Sequence, residues 1–420
     1  MKNYCHYALL LLLGLWLMLL PRQLQAQYRG YQIDKQTSYV KVPFDRINNY
    51  IVVDVTMNRI FPMRFIVDTG ARYTILTDKA YAEIAGLDLG RTIYLVGADR
   101  KRKLPAYLTH GVQLALPGVT AYKQSILVLE QDYFDFEKHL GHDIDGIIGI
   151  DLFRRFVVEI NYDKRIMTLR VPKSIKPSFY RKYHKLPTEI DEGKVYVNLP
   201  IELRPKTYID TRLLVDTGSS LALILNTNPQ DTLLLPRKVI RGTIGKGLGG
   251  TLEGYIGKVV QVDMEPYGFN GVLTSFLQQE DSTMIDEIQA LPYREGILGA
   301  TLLSRFNIIV DIPNTQAVYI KSNRAYKKPL RYDRSGMVIV AAGPYLKTYV
   351  VDNVLEDSPA DKAGIQAGDI IRRVGRWPAS WYTLSGITRR FTGDIGKTIS
   401  VTLQRGAYRI EADVTLQELF

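Results

Sequence analysis

The feature that most constrains this chain is a seven-residue segment that occurs twice. Residues 65–71 read Phe-Ile-Val-Asp-Thr-Gly-Ala, and residues 213–219 read Leu-Leu-Val-Asp-Thr-Gly-Ser. Each copy predicts a buried strand that ends in a tight turn presenting one carboxylate. Two carboxylates about 3 Å apart share a single proton, because like charges at that distance do not both ionise. The repeat therefore suggests that Asp68 and Asp216 form one acid–base pair around a water molecule.

A second pair of matching segments closes each half of the chain. Residues 145–156 (Asp-Gly-Ile-Ile-Gly-Ile-Asp-Leu-Phe-Arg-Arg-Phe) are similar to residues 295–306 (Glu-Gly-Ile-Leu-Gly-Ala-Thr-Leu-Leu-Ser-Arg-Phe), and an apolar strand follows each. The duplicated unit is much longer than the roughly 20–50 residues of a solenoid repeat. We therefore predict two similar lobes that face each other.

The first 26 residues predict a signal peptide. Lys2 precedes an apolar run from Ala8 to Leu20, and Ala26 supplies a small residue at the cleavage point. This run is shorter than the roughly 20 residues of a spanning helix, so an uncleaved membrane anchor is the alternative. The single cysteine, Cys5, lies inside this segment, so a cleaved chain would have neither a disulfide nor a thiol nucleophile. We expect an exported protein, either periplasmic or extracellular.

The formal net charge of +11 does not by itself indicate nucleic-acid binding. Much of the excess lies around residues 170–185 and 321–334, where we predict linkers between domains. Solvated basic linkers explain these clusters better than a nucleic-acid site does. Attraction to an anionic surface or to acidic substrates stays open. Membrane association is expected only if the leader stays uncleaved.

Two further clusters are weak candidates for metal or nucleotide sites. The spacing of the acidic and histidine residues before the first closing segment matches no metal signature; these residues are His139, His142, Asp143 and Asp145. The glycine-rich stretch 242–250 lacks the Gly-Lys-Ser/Thr ending of a phosphate loop. We predict no metal and no cofactor, and interpret residues 242–250 as a mobile hairpin over a cleft.

Local patterns place a helix and a possible flap in the first half. Residues 77–86 predict a short helix that Thr77 caps and Gly86 ends. The polar stretch 97–102 predicts a hairpin tip where a flap over the cleft could sit.

From about residue 331 the sequence predicts a separate compact unit of about 90 residues. Strands are expected at 337–341 and 349–354, before Ser-Pro-Ala-Asp-Lys-Ala-Gly-Ile at 358–365 and Ala-Gly-Asp-Ile-Ile at 367–371. A helix around 382–391 and a last strand near 398–403 would complete this unit.

These motifs resemble two known families. The apolar strand, Asp-Thr-Gly-Ala/Ser and later apolar-apolar-Gly segment resemble the aspartic proteases of the pepsin and retropepsin kind, in their bilobal form. The motif at 358–371 resembles a PDZ domain, and the combination is similar to bacterial aspartyl-protease-like proteins with a C-terminal PDZ domain. The resemblance implies a mainly β fold with two barrel-like lobes and a PDZ-like β-sandwich or barrel with a capping helix. The implied divisions are a signal peptide at 1–26, protease lobes at 27–190 and 191–325, and a PDZ domain at 331–420.

The resemblance also implies roles for the repeated residues. Asp68 and Asp216 would be the catalytic dyad of an aspartic endopeptidase that activates water against a peptide bond in an extended peptide or protein substrate. The remaining residues of both motifs would support the dyad by hydrogen bonding across the lobes and by allowing close backbone approach; they are Thr69, Gly70, Thr217 and Gly218. The position six residues after the Asp is often a hydroxyl in this family: Thr74 fits, whereas Ala222 departs from the pattern.

In the PDZ-like unit, the resemblance implies that a protein C-terminus adds to a sheet edge. Backbone amides near Ser335 and Gly336 would receive the terminal carboxylate, and residues 384–390 would form the opposing wall. The residues implied in peptide binding are Ser335, Gly336, Met337, Val338 and Ile339. A Gly-Leu-Gly-Phe-like loop is not clearly present before this strand, so a docking module that binds no free peptide is an alternative.

Two alternatives to the protease stay open. A single Asp-Thr-Gly is compatible with an Asx turn that only closes a strand. The chain could also be a catalytically inactive, protease-like peptide-binding or scaffold protein of the cell envelope.

Overall fold

The computed structural model describes residues 29–96, 102–227, 235–278 and 296–420. The predicted signal peptide at 1–26 and most of the predicted flap tip, 97–101, lie outside these ranges. Four β-sheets dominate the described chain, so the predicted mainly β fold is confirmed. No helix within the described residues is long and apolar enough to cross a membrane.

The first lobe is built on a nine-stranded sheet in the order β1-β9-β6-β10-β5-β4-β8-β7, with β3 paired to β4. Its strands alternate buried and exposed positions where one face meets solvent, and become fully buried near their ends. The strands up to residue 170 are β1 (Gly30–Ile33), β2 (Tyr39–Pro43), β3 (Asp45–Ile47), β4 (Tyr50–Met57), β5 (Phe61–Val67), β6 (Ile75–Leu76), β7 (Thr92–Val96), β8 (Lys103–Leu116), β9 (Val119–Leu129), β10 (Gly146–Ile148), β11 (Val157–Asn161) and β12 (Ile166–Arg170).

Three short α-helices lie in the described part of this lobe: Lys79–Ile84, Phe136–Leu140 and Asp151–Arg155. The first helix corrects the predicted cap by one residue, because the side chain of Asp78 accepts the backbone N–H of Ala80 at 2.8 Å. The hydroxyl of Thr77 instead donates to the carbonyl of Asp145 at 2.9 Å. Gly86 follows the helix with φ of +61°, a left-handed conformation that suits glycine, as expected for a residue that ends a helix.

The second lobe repeats the plan with an eight-stranded sheet in the order β14-β15-β16-β21-β17-β20-β19-β18. One short helix, Ala300–Leu303, follows β21. The strands from residue 184 to 322 are β13 (His184–Lys185), β14 (Thr188–Asp191), β15 (Lys194–Arg204), β16 (Thr207–Asp216), β17 (Leu223–Thr227), β18 (Val239–Gly247), β19 (Gly250–Met264), β20 (Tyr267–Gln278), β21 (Gly296–Gly299), β22 (Phe306–Asp311) and β23 (Ala317–Ser322).

A six-stranded sheet contributed by both halves holds the lobes together, in the order β13-β23-β22-β11-β12-β2. At its centre β11 and β22 are antiparallel, with Val158 opposite Val310 and Ile160 opposite Ile308. All four side chains are at most 1% exposed and belong to one apolar core that extends into both lobes. The basic stretch after β12 folds into two 3₁₀ helices, Pro172–Ser174 and Pro177–Lys182.

The C-terminal unit has its own sheet, ordered β24-β25-β26-β28-β29, and its own core. Its α-helices are Pro359–Lys362 and Leu384–Thr388, and its 3₁₀ helices are Ala379–Trp381 and Arg389–Thr392. The predicted helix around 382–391 is therefore an α-helix that continues as a 3₁₀ turn. The strands are β24 (Met337–Ala342), β25 (Thr348–Val354), β26 (Ile370–Val374), β27 (Trp377–Pro378), β28 (Thr398–Arg405) and β29 (Tyr408–Thr415).

Candidate active site

The same local topology leads into both Asp-Thr-Gly turns. In the first lobe β10 runs parallel to β5 and antiparallel to β6, and β6 runs parallel to β9. In the second lobe β21 runs parallel to β16 and antiparallel to β17, and β17 runs parallel to β20. Each closing segment thus lies between the strand before the Asp and the strand after it. Fully buried residues such as Val67 and Val215 fix the strand ends, which places each carboxylate at the lobe junction.

Thr69 and Thr217 bind each other's turn across the lobe junction. The backbone N–H of Thr69 donates to Oγ1 of Thr217 at 3.1 Å, and the backbone N–H of Thr217 donates to Oγ1 of Thr69 at 3.1 Å. Each hydroxyl also donates to the opposite strand, Thr69 to the carbonyl of Val215 at 2.6 Å and Thr217 to that of Val67 at 2.8 Å. Both side chains are at most 1% exposed, so water does not compete for these four bonds.

Gly70 and Gly218 each lie against the aspartate of the opposite lobe. A β-carbon added at Gly70 would lie 2.7 Å from Cγ of Asp216, and one added at Gly218 would lie 2.2 Å from Cγ of Asp68. Both distances are shorter than any ordinary carbon–carbon contact. Glycine at these two positions is therefore what lets the carboxyl groups meet.

The structure brings Asp68 and Asp216 together as a hydrogen-bonded pair of carboxyl groups. Burial, the neighbouring charge of Asp216 and the hydrogen bond with Asp216 raise the pKa of Asp68 well above its usual value. The backbone N–H of Gly70 donates to Oδ1 of Asp68 at 2.6 Å, and that of Gly218 donates to Oδ1 of Asp216 at 2.8 Å. In each carboxyl group of the pair, one oxygen is therefore held by a backbone N–H of its own turn.

The surroundings of the two carboxyl groups differ between lobes. In the first lobe Thr74 is buried, and its hydroxyl accepts the backbone N–H of Gly149 at 3.5 Å. In the second lobe Ala222 offers no hydroxyl, and the Thr301 side chain donates instead to the carbonyl of Ser220 at 2.7 Å. The second turn is thus tied to its helix by a threonine that the duplicated pattern did not single out.

A tyrosine that sequence reasoning missed also lies beside the pair. Burial raises the pKa of Tyr50, and the charges of Asp216 and Asp68 act in the same direction. The Tyr50 hydroxyl is hydrogen-bonded to Ser220 of the other lobe. Tyr50 is the first residue of β4, directly after a turn, and no spacing in the sequence relates it to Ser220.

The glycine-rich stretch forms the hairpin between β18 and β19 and reaches from the second lobe to the first. Lys246 forms an ion pair with Asp135, and Leu248 packs against an apolar cluster of the first lobe. The hairpin therefore spans the two lobes, as a cover over a cleft between them would.

In the PDZ-like unit, the backbone amides that were predicted to bind a peptide carboxylate donate hydrogen bonds to side chains of the same loop, which corrects the expectation for this loop. The side chain of Asp333 accepts the backbone N–H groups of Ser335 at 2.9 Å and Gly336 at 2.7 Å. The amide of Met337 donates to the Ser335 hydroxyl at 3.2 Å. These N–H groups are therefore not open to a peptide carboxylate in this structure.

The side chains of the predicted peptide-binding strand mostly point inward. Met337 and Ile339 belong to the core of the C-terminal unit and are each 6% exposed, whereas Val338 is 41% exposed. Ser335 is fully buried.

The two histidines before the first closing segment, His139 and His142, have pKa values lowered by burial and by neighbouring cations. His139 is in the helix Phe136–Leu140, and burial together with the charges of Lys246 and Lys138 lowers its pKa. Burial also lowers the pKa of His142, and the charge of Arg64 acts in the same direction. Across the four described ranges, no group of three or more metal-ligating side chains could hold a metal ion.

The fold and the paired turns define a class of protein, and comparison with family models agrees. A model described as aspartyl protease matches residues 53–152, and a model described as PDZ domain matches residues 350–405. The chain therefore carries a retropepsin-like aspartyl protease domain and a PDZ domain, as the sequence motifs predicted. The protease match covers the first Asp-Thr-Gly copy and its closing segment.

Comparisons with curated sequences and with solved structures add little to the two family-model matches. No curated protein sequence gives a significant match. Among solved structures, the photosystem II D1 C-terminal processing protease matches at 25% identity with a TM-score of 0.20. That match covers 20% of this chain and 23% of the other, so it spans less than a quarter of either protein.

Proposed function

We propose that this protein is an aspartic endopeptidase in which Asp68 and Asp216 activate water against a peptide bond. The observation that carries the proposal is the hydrogen-bonded carboxyl pair, anchored from both lobes by reciprocal threonine bonds. One proton shared between two carboxyl groups supplies an acid and a base at the same place. The matched protease family supports the same chemistry.

The chemical steps follow from the protonation of the pair. The ionised member of the Asp68–Asp216 pair takes a proton from water as the water oxygen attacks the peptide carbonyl carbon. The protonated member gives its proton to the carbonyl oxygen, which forms a neutral tetrahedral diol. Collapse of the diol breaks the C–N bond: one diol hydroxyl returns its proton to the carboxylate that acted as acid, and the departing nitrogen takes the proton that the other carboxyl took from water. The products are one carboxyl and one amino terminus, and no covalent enzyme intermediate forms.

The substrate would be an extended peptide or protein segment held between the lobes beneath the β18–β19 hairpin. The ion pair of Lys246 with Asp135 and the packing of Leu248 would have to open for the chain to enter. We propose that the protein acts in the periplasm or outside the cell, since the leader predicts export. The competing function is a protease-like binding protein that holds peptides without cutting them.

Cleavage-site profiling of a peptide library tests the proposal. Wild type should yield new termini, while Asp68→Asn and Asp216→Asn should yield none above background. Asp210→Asn is the matched control, because it lies on β16 like Asp216 but is exposed to solvent. Cleavage that persists in both dyad variants would overturn this assignment, and a wild type that binds but never cuts would favour the binding protein.

A further inference from the structure

A helix of the first protease lobe packs against the edge strand of the PDZ domain. A PDZ groove lies between an edge strand and a helix, here β24 and the helix Leu384–Thr388. The helix Phe136–Leu140 of the first lobe packs against β24. The residue after it, Gly141, faces both walls: a β-carbon there would lie 3.6 Å from Cβ of Ala341 and 3.0 Å from Cβ of Leu384.

Burial along β24 agrees with an occupied groove. Val340 does not belong to the PDZ core, yet it is only 3% exposed. An edge-strand side chain outside its own core is normally open to solvent unless another element covers it. The helix Phe136–Leu140 is the element of the first lobe that packs against this strand.

An ion pair joins the helix Phe136–Leu140 to the PDZ domain at the rim of this contact. Nζ of Lys138 lies 2.7 Å from Oδ1 of Asp352, which is on β25. The helix Phe136–Leu140 thus lies along the edge of the groove. At the end of the groove, the Asp333 carboxylate accepts the amides of Ser335 and Gly336. A free peptide C-terminus would have to displace both.

We propose that the PDZ domain takes the segment 136–141 of its own protease lobe as its ligand, and thereby holds the closing strand β10 beside Asp68. The segment is four residues from Asp145, whose side chain accepts the backbone N–H of Arg64 on β5 at 2.7 Å. The carbonyl of Asp145 also accepts from Thr77. From there β10 pairs with β5, and the carbonyl of Ile148 accepts the backbone N–H of Asp68 at 2.9 Å.

An engineered disulfide tests the docking without any need for activity. In the double variant Gly141→Cys and Ala341→Cys, the β-carbons of the two cysteines would lie 3.6 Å apart. This is within the roughly 3.5–4.5 Å between β-carbons of natural disulfides. Cys5 is the only native cysteine, so a chain that begins after residue 26 has no competing thiol. Mild oxidation of that chain, residues 27–420, should give one internal disulfide, and the two single variants should give none. Two thiols that stay free and react with maleimide would overturn the proposal.

Because a cysteine at Gly141 has to adopt a φ of +67°, a second test avoids that position. Lys138→Asp and Asp352→Lys each bring like charges together, while the double variant restores an opposite pair. We expect amide hydrogen exchange over 136–140 to be about three- to tenfold faster in the single variants than in wild type or the double variant. Equal exchange in all four proteins would contradict docking.

The link from the groove to Asp68 rests on the proposed peptidase and has its own readout. Peptide cleavage by the two charge-reversal variants should fall and should recover in the double variant. If exchange becomes faster while cleavage stays at the wild-type rate, the docking stands and its link to the active site is wrong. If wild type cuts no peptide, the proposed function fails while the disulfide and exchange results remain interpretable.

Discussion

Gly218 lies so close to Asp68 that a β-carbon at residue 218 would be 2.2 Å from the Asp68 carboxyl carbon. The reverse contact, Gly70 against Asp216, is nearly as tight. The two carboxyl groups thus meet only because the residue facing each has no side chain. This relationship leads to the first prediction.

Gly218→Ala should abolish peptide cleavage, because the added methyl group must push the Asp68 carboxyl away from its partner. A displacement of about 1 Å at reacting groups costs on the order of 10²-fold in rate. The measurement is kcat/KM on a cleaved peptide. Gly268→Ala on β20 is the control, since the nearest atom to an added β-carbon there is the flexible end of the Gln261 side chain, 3.3 Å away. Full activity in Gly218→Ala would mean that the carboxyl groups need not be in contact.

Thr217→Val should destabilise the protein and reduce cleavage together. The change keeps the shape of the side chain but removes the bond to the Val67 carbonyl and the acceptor for the Thr69 amide. Two buried groups left without partners cost about 2–5 kcal/mol in the free energy of unfolding, measured by urea denaturation.

Thr217→Ser should retain both properties, because it keeps the hydroxyl. Thr211→Val is a control on β16, the strand that leads into this turn, since it loses one buried bond to the Leu199 carbonyl away from the carboxyl pair. It should lose stability and keep activity at a temperature where it stays folded. Unchanged stability of Thr217→Val would show that the threonine bonds do not hold the lobes.

The pH dependence of cleavage should be bell-shaped. Activity requires one proton on the carboxyl pair, so it falls when a second proton binds and falls again when the shared proton leaves. Burial and the charge of Asp216 raise the pKa of Asp68 well above its usual value, so the alkaline limb should lie above the range of an ordinary carboxyl group. The two apparent pKa values of kcat/KM belong to the pair. A rate that is constant from acid to neutral pH would contradict this mechanism.

Stability of the PDZ domain should depend on Asp333. Burial raises its pKa to about 6 in the folded chain, above about 3.9 for an unfolded Asp. The folded state therefore holds its proton more tightly, and this contribution to stability is present at low pH and lost as pH rises toward 6. The loss is on the order of 3 kcal/mol.

Asp333→Asn keeps an oxygen for the amides of Ser335 and Gly336 but cannot titrate. The difference in unfolding free energy between wild type and this variant should therefore change between pH 4 and pH 7, with wild type losing more. Urea denaturation at several pH values measures that difference. A constant difference would show that Asp333 is ionised in both states throughout.

Several of these features could be predicted from the sequence because they are carried by local motifs. The duplicated Asp-Thr-Gly strands and their closing segments indicate the protease domain, and the motif from Ser358 onward indicates the PDZ domain. Helix ends were less certain, since Thr77 and Asp78 are both good caps and only the backbone path selects Asp78.

What the sequence did not reveal depends on contacts between distant segments. Nothing in the stretch Phe136–Gly141 indicates that it fills a groove some 200 residues later, because its fit comes from shape and from a glycine without a β-carbon. The contact of Tyr50 with Ser220 likewise arises only when the lobes meet. The position of Asp333, two residues before Ser335, allows an Asx-type bond that could have been expected from the sequence.

The most direct test of the account is a double-mutant comparison of kcat/KM for wild type, Asp68→Asn, Asp216→Asn and the variant with both changes. Groups that act as one unit show strongly non-additive losses. We predict that either single change removes cleavage almost completely and that the double variant is no worse. Independent, additive losses, or a single variant that cuts as well as wild type, would contradict a shared-proton pair.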